Sequence, residues 1–140
     1  MNILKNLNNR CNIVQNEESS NFLEINKLKN FSQIDIPKEF LNIISEMSEI
    51  EISIDNYKYL RLWGAEGCIE MNCAYKIQRY IPNSLAIGDN EEGSAILYVN
   101  HNNKFGIYKI DFNDLDIEEL SYISGSLLEL LVNGIGLDII

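Results

Sequence analysis

The sequence predicts a single domain of mixed helices and antiparallel strands. Three observations carry that reading. Segments 50–63 and 85–111 alternate apolar and polar residues between turn residues, the two-residue period of half-buried strands. Segments 37–47 and 117–131 instead repeat apolar residues every three or four positions, the period of an amphipathic helix. No internal repeat and no Pro- or Ser-rich linker divides the 140 residues. That length suits one domain and buries one core without disulfides.

Taken in order, residues 1–20 are polar and Asn-rich, with Ile3, Leu4, Leu7, Ile13 and Val14 among them, and are expected as an irregular arm or a short helix. Phe22, Ile25 and Leu28 predict a helix over Ser20–Lys29. Pro37 sits where a helix starts, since the first turn has no use for its missing N–H. Behind it Phe40, Leu41, Ile44 and Met47 form one stripe, so a helix is expected from Pro37 to Met47. IEISID (50–55) alternates Ile50, Ile52 and Ile54 with polar residues, and Asp55-Asn56 marks a turn before YKYLRLW (57–63), giving a hairpin. Residues 64–82 are expected as one helix, with Ile69, Cys73, Ile77 and Tyr80 on a common face and Pro82 as its stop. Leu85–Gly88 and Ser94–Val99 read as strands about a polar tip. Asn100–Asn103 is a second turn, and Phe105–Asp111 a third strand, so the three form an antiparallel meander. A last helix is expected from Asp116, with Glu119 in capping-box position, through Ile117, Leu120, Ile123, Leu127, Leu130 and Leu131 to Asn133-Gly134. The end, GLDII, reads either as a docked tail or as a partner-binding segment.

Composition excludes several functions. Apolar residues make up 46% and charged residues 23%, the ordinary range of a folded protein. Twenty-one acids against 11 bases give a net charge of −10. Such a chain repels nucleic acid and anionic membrane surfaces and attracts a basic protein, although acidity also serves solubility alone. No run reaches the roughly 18 apolar residues of a membrane helix, and the first residues do not read as a secretion signal. Three cysteines (Cys11, Cys68, Cys73) form no disulfide framework. A reducing cytoplasm is the expected location.

Catalytic chemistry finds little support. His101 is the only histidine and falls in a turn; no Ser or Cys stands in a nucleophile elbow. Cys68 and Cys73 lack a second ligand pair for zinc and read as core residues. The tip Asp89-Asn90-Glu91-Glu92-Gly93 breaks the spacing of a calcium loop. Glycine-rich phosphate loops are absent. No catalytic residue, cofactor or metal is expected, so the chain reads as a binding protein rather than an enzyme.

Charge is nevertheless patterned. No basic residue follows Lys109, whereas Asp111, Asp114, Asp116, Glu118, Glu119, Glu129 and Asp138 do. Acids at a helix start oppose the macrodipole, which accounts for Asp116, Glu118 and Glu119 but not for Asp111, Asp114 or the Asp89 turn. The candidate partner-binding residues are therefore Asp89, Asn90, Glu91 and Glu92, with Asp111, Asp114 and Asp116. Gly88 and Gly93 would permit a tight reversal with the acids left in water. A docking knob and a plain solvated hairpin both fit that picture. Trp63 is read as core rather than as an interface hot spot.

Ile36-Pro37 opens a helix with Phe40-Leu41. Tyr59-Leu60-Arg61-Leu62-Trp63, then Ile81-Pro82, then Leu85–Asp89 with Gly93 and Ile96 follow. Gly106-Ile107-Tyr108 and a closing Ser124–Leu131 helix complete the series. In order and spacing, over roughly residues 20–133, these pieces resemble the SUKH superfamily. The chain departs from it in lacking a glycine turn at Met47–Ile50 and in carrying Asn90-Glu91-Glu92 where many members have glycines. The resemblance implies a single-domain α+β fold, an antiparallel sheet with helices packed around it. Many bacterial members look like immunity proteins of contact-dependent or polymorphic toxin systems, which bind a cognate toxin in the cytoplasm. Others, including a fungal regulator of cell-wall synthesis, are adaptors. The function expected from resemblance and charge together is neutralisation of a basic toxin, such as a nuclease, by a monomer or homodimer. The alternative is a non-catalytic regulatory adaptor.

Overall fold

Seven strands lie side by side in chain order in one antiparallel sheet, with five helices packed against it. The computed structural model describes residues 1–140. The strands are β1 (Cys11–Glu17), β2 (Ser48–Ile54), β3 (Lys58–Leu62), β4 (Ser84–Asp89), β5 (Ser94–His101), β6 (Lys104–Asp111) and β7 (Ser121–Ser124). The helices are α1 (Phe22–Phe31), α2 (Lys38–Ile44), α3 (Ala65–Ala74), α4 (Ile77–Tyr80) and α5 (Leu127–Leu131). None is long and apolar enough to cross a membrane. The α+β class with an antiparallel sheet is as expected.

Local chemistry explains the hairpins. Asp55 and Asn56 take left-handed φ of 53° and 63° between β2 and β3, and Asn102 and Asn103 take 53° and 62° between β5 and β6. Asn and Asp are the side-chain-bearing residues that tolerate this conformation best. Ile50 and Ile52 face Leu62 and Leu60 across β2–β3, all fully buried. In β5 every residue from Ala95 to Val99 is buried, so the sheet centre is covered on both faces. One continuous apolar cluster includes residues from all seven strands except β1's outer half.

Three sequence expectations are corrected, and the docked-tail reading of GLDII is borne out. Residues 11–17 are not an irregular arm but the edge strand β1, whose pairing with β2 is interrupted at Val14 and again near Glu17. Only Cys11 in it is buried, so no apolar alternation marks it. Segment 64–82 is two helices, broken at Lys76 with φ 53°. Ile77 is buried as expected, but the buried face of α3 is Ala65, Cys68 and Asn72, while Cys73 and Tyr80 are exposed. Asp116 caps only a single 3₁₀ turn (Ile117–Glu119), and the chain then extends as β7. Ser126 caps the actual last helix, α5, by accepting from the Glu129 N–H at 3.1 Å. Finally, GLDII docks on the protein's own body: Leu137 is fully buried and Asp138 pairs with Arg10.

Asn72 accounts for the polar residue on the buried face of α3. β3 pairs with β4 at only two positions, Arg61–Asp89 and Leu62–Gly88, before the chain turns into α3. Ala86 lies beyond that ladder. The Asn72 carboxamide donates to the Ala86 carbonyl (2.8 Å) and accepts from the Ala86 N–H (3.0 Å). It also donates to the Cys68 carbonyl (2.7 Å) and accepts from Gln78 Nε2 (2.8 Å), so all four of its hydrogen-bonding positions are filled. A side chain here does the work of a strand.

Candidate functional site

The polar tip between β4 and β5 is built from its own side chains. Asn90 is buried, and its Oδ1 accepts from the N–H groups of Glu92 (3.0 Å) and Ser94 (3.1 Å). Asp89 accepts from the Glu91 N–H (2.8 Å) and, through its other oxygen, from Trp63 Nε1 (2.8 Å). Trp63 is itself a buried core residue, so this bond satisfies an indole N–H that burial would orphan. Glu91 pairs with Arg61 at 3.1 Å, and Arg61 also holds Glu51 at 3.2 Å. Burial first, then the hydrogen bond with the Glu51 carboxyl, pushes the Glu91 pKa up to about 6. The same contact holds Glu51 below its usual value.

The expectation that these acids stay in water holds for Glu92, holds in part for Glu91, which is exposed but paired, and is corrected for Asp89. Only Glu92 is exposed with an unpartnered carboxylate. The role given to Gly88 also changes. It lies within β4, where a Cβ would collide with the Arg61 carbonyl, so close approach of β3 demands a glycine there. Gly93 makes the reversal, at φ 94° in open space.

A larger acidic feature stands at the same end of the sheet, where β1 ends, β2 begins and α1 and α3 start. A cleft of about 850 Å³ is lined by Glu17, Glu18, Glu24, Glu49, Glu66 and Glu70, with no lysine or arginine in its walls. Backbone and hydroxyl bonds fix the walls. Ser48 Oγ donates to the Glu18 carbonyl, and Ser20 Oγ accepts from the Ala65 N–H at 2.9 Å. Asn21 and Glu24 form a reciprocal capping box at the start of α1. Glu49 is the extra residue of a bulge against β1, at a left-handed φ of 45° that costs a side-chain-bearing residue about 1 kcal/mol. The bulge aims its carboxylate at the Gly64 N–H, capping α3, which has no side-chain cap of its own.

The cleft's electrostatics are those of crowded carboxylates. Desolvation raises the Glu49 pKa, and Glu17 and Asp89 add to it. Glu66 is raised by its hydrogen bond with the Glu24 carboxyl and by that group's charge. All four ion pairs of the protein belong to Arg10 and Arg61 and none to these six glutamates. Phe22 and Leu23, between Asn21 and Glu24 in the chain but outside the cleft's lining, are 76% and 70% exposed.

Of the remaining candidates, Asp111 adjoins the turn between β4 and β5, since the Phe112 N–H donates to the Gly93 carbonyl at 2.9 Å. Asp114 and Asp116 line a separate groove with Tyr75, Lys76 and Tyr80. A hollow of about 550 Å³ beside Met1–Leu4 and α2 contains Glu39. That carboxylate already accepts from Tyr98 Oη (2.7 Å) and from the N–H groups of Leu127 (2.7 Å) and Leu128 (3.1 Å), a structural tie between α2, β5 and α5.

Sequence reasoning missed the six glutamates because they come from four separate segments. One signal was present. Glu66 and Glu70 stand four apart on a helix, a like-charge spacing that weakens an isolated helix.

No protein-family model matches the chain, and no curated protein matches it in sequence.

Proposed function

We propose that the protein is a non-catalytic, immunity-type inhibitor that binds a basic toxin in the cytoplasm and blocks it. The observation that carries this reading is the glutamate cleft, whose walls hold six carboxylates and no lysine or arginine. None of the six carboxylates is in an ion pair, neighbouring carboxylates help to raise the pKa values of Glu49 and Glu66, and a cationic partner relieves that crowding. The exposed Phe22 and Leu23, on the same first turn of α1 as Glu24, add apolar area that favours a protein surface over a lone ion. No group of acids, cysteines and histidine here is arranged to hold a metal. The resemblance of the chain to the SUKH superfamily supports the toxin class, and a nuclease is the toxin type whose phosphate-binding surface supplies the needed positive charge.

The test is co-expression of the tagged protein with the open reading frame beside its gene, then capture under low- and high-salt washes. Stoichiometric recovery of that product, rescue of the cells from its toxicity and loss of the complex in salt are expected. Capture of a housekeeping protein without rescue would replace the toxin with an adaptor role. Binding indifferent to salt and to charge reversal in the cleft would overturn the reading.

A further inference from the structure

On the side of α3 away from its capped start, the chain kinks at Lys76 and the loop after β6 folds against it. There Tyr75 and Phe112 stack with ring centroids 4.3 Å apart, tilted by 33°. Tyr80 stands near them, and the hollow between these rings and the loop holds about 470 Å³. Tyr75 is 40% and Tyr80 50% exposed, so ring surface is available to a visitor. Asp114 and Asp116 close the other wall. Asp116 has one oxygen engaged by the Glu118 N–H at 3.0 Å. The Asp114 carboxylate joins no ion pair and accepts no hydrogen bond within the protein, whereas those of Asp89, Asp111 and Asp116 each accept at least one.

From this arrangement we infer that the groove takes an arginine side chain presented by a basic protein, a contact that rests on the basic-partner reading above. A guanidinium is a flat cation. It stacks on aromatic faces and offers paired N–H donors to a carboxylate, which a compact ammonium cannot do together. Ring faces on one side and a free carboxylate on the other match both of its surfaces. A nucleobase would also stack, but the acids repel its phosphates. Lys76 lines the same groove and competes for the carboxylates, so its removal should strengthen rather than weaken the site.

The test is an amide-resolved NMR titration of the full chain with the capped tripeptide Gly-Arg-Gly, against Gly-Lys-Gly at equal ionic strength. Saturable shifts confined to residues 75–80 and 112–116, larger for the arginine peptide, are expected. Asp114→Asn and Tyr75→Ala should each weaken that binding about threefold. Lys76→Gln should tighten it about twofold. Both Asp114→Asn and Lys76→Gln alter exposed side chains, so each spectrum also reports an intact fold. No shifts, equal response to both peptides, or shifts in the glutamate cleft instead would overturn the inference. Charge reversal in the cleft leaves this titration unchanged, so failure of the groove and failure of the inhibitor reading are told apart.

Discussion

Two acidic regions sit at one end of the sheet, and they differ in an instructive way. The Asp89–Gly93 turn is dense in acids along the chain, yet the fold engages most of them: Asp89 with Trp63, Asn90 with the turn's own N–H groups, Glu91 with Arg61. The cleft draws its glutamates from residues 17 to 70, and none has a counter-ion. Density in sequence does not measure availability in space. In the turn two acids meet the distant Trp63 and Arg61 side chains, whereas in the cleft Glu49 and Glu24 meet backbone N–H groups and no cation.

The comparison breaks completely if the shared scaffold goes. Asn72 ties α3, which carries one wall of the cleft, to β4, which carries the turn. Asn72→Ala leaves the buried Ala86 N–H and carbonyl unpaired and should cost about 3 kcal/mol, roughly 10 °C in Tm by thermal unfolding. A loss under about 1 kcal/mol would show that water replaces the carboxamide.

Charge reversal separates the two regions next. Glu18→Lys with Glu70→Lys should slow association with the co-expressed basic partner by about tenfold or more and shift Tm by less than about 2 °C. Asp89→Ala should do the opposite. It orphans the buried Trp63 indole N–H, so calorimetry should show about 1–3 kcal/mol lost, with a smaller effect on association. If Asp89→Ala weakened binding without loss of stability, the turn and not the cleft would be the contact. The exposed Glu92→Lys should change stability by about 0.5 kcal/mol at most.

The smallest effect is on pH. The folded-state pKa of Glu91 lies near 6, above its ordinary 4.5, so the native state holds that proton more tightly than the unfolded chain. The stabilisation is complete below the unfolded value and is lost as pH rises through 6. Glu49 and Glu66 are shifted in the same direction. Tm should therefore rise by about 3 °C from pH 7 to pH 5, and Glu91→Gln should reduce that rise. Below about pH 4 the trend reverses. The hydrogen bond from Arg10 depresses the Asp55 pKa, and protonating that carboxylate removes its contribution. A flat profile between pH 5 and 7 would show that Arg61 neutralises the Glu51–Glu91 pair.

Much of the sheet was legible. Ile50, Ile52 and Ile54 alternate because one face of β2 is buried, and Asp55-Asn56 and Asn102-Asn103 reverse the chain through conformations that these residue types accept. The helices from residues 22 and 38 also followed from their stripes. The misreadings have a common cause. In 116–131 apolar residues at helical spacing happen to fall across a 3₁₀ turn, a strand and a helix, and nothing local tells Ile123 in β7 from a helical position. In 64–82 a buried polar residue, Asn72, and an exposed Cys73 invert the pattern used to find the inner face. In 11–17 almost no side chain is buried, and β2 alone defines the strand.

By itself the sequence determined the class of fold, the turns and the sign of the protein's charge, because period, turn chemistry and composition are local or additive properties. The tertiary structure alone decided which acids are free. That depends on whether a donor from a distant segment, such as the Trp63 indole, the Arg61 guanidinium or the Gly64 N–H, arrives within about 3 Å of each carboxylate, and no local property of the chain encodes such meetings.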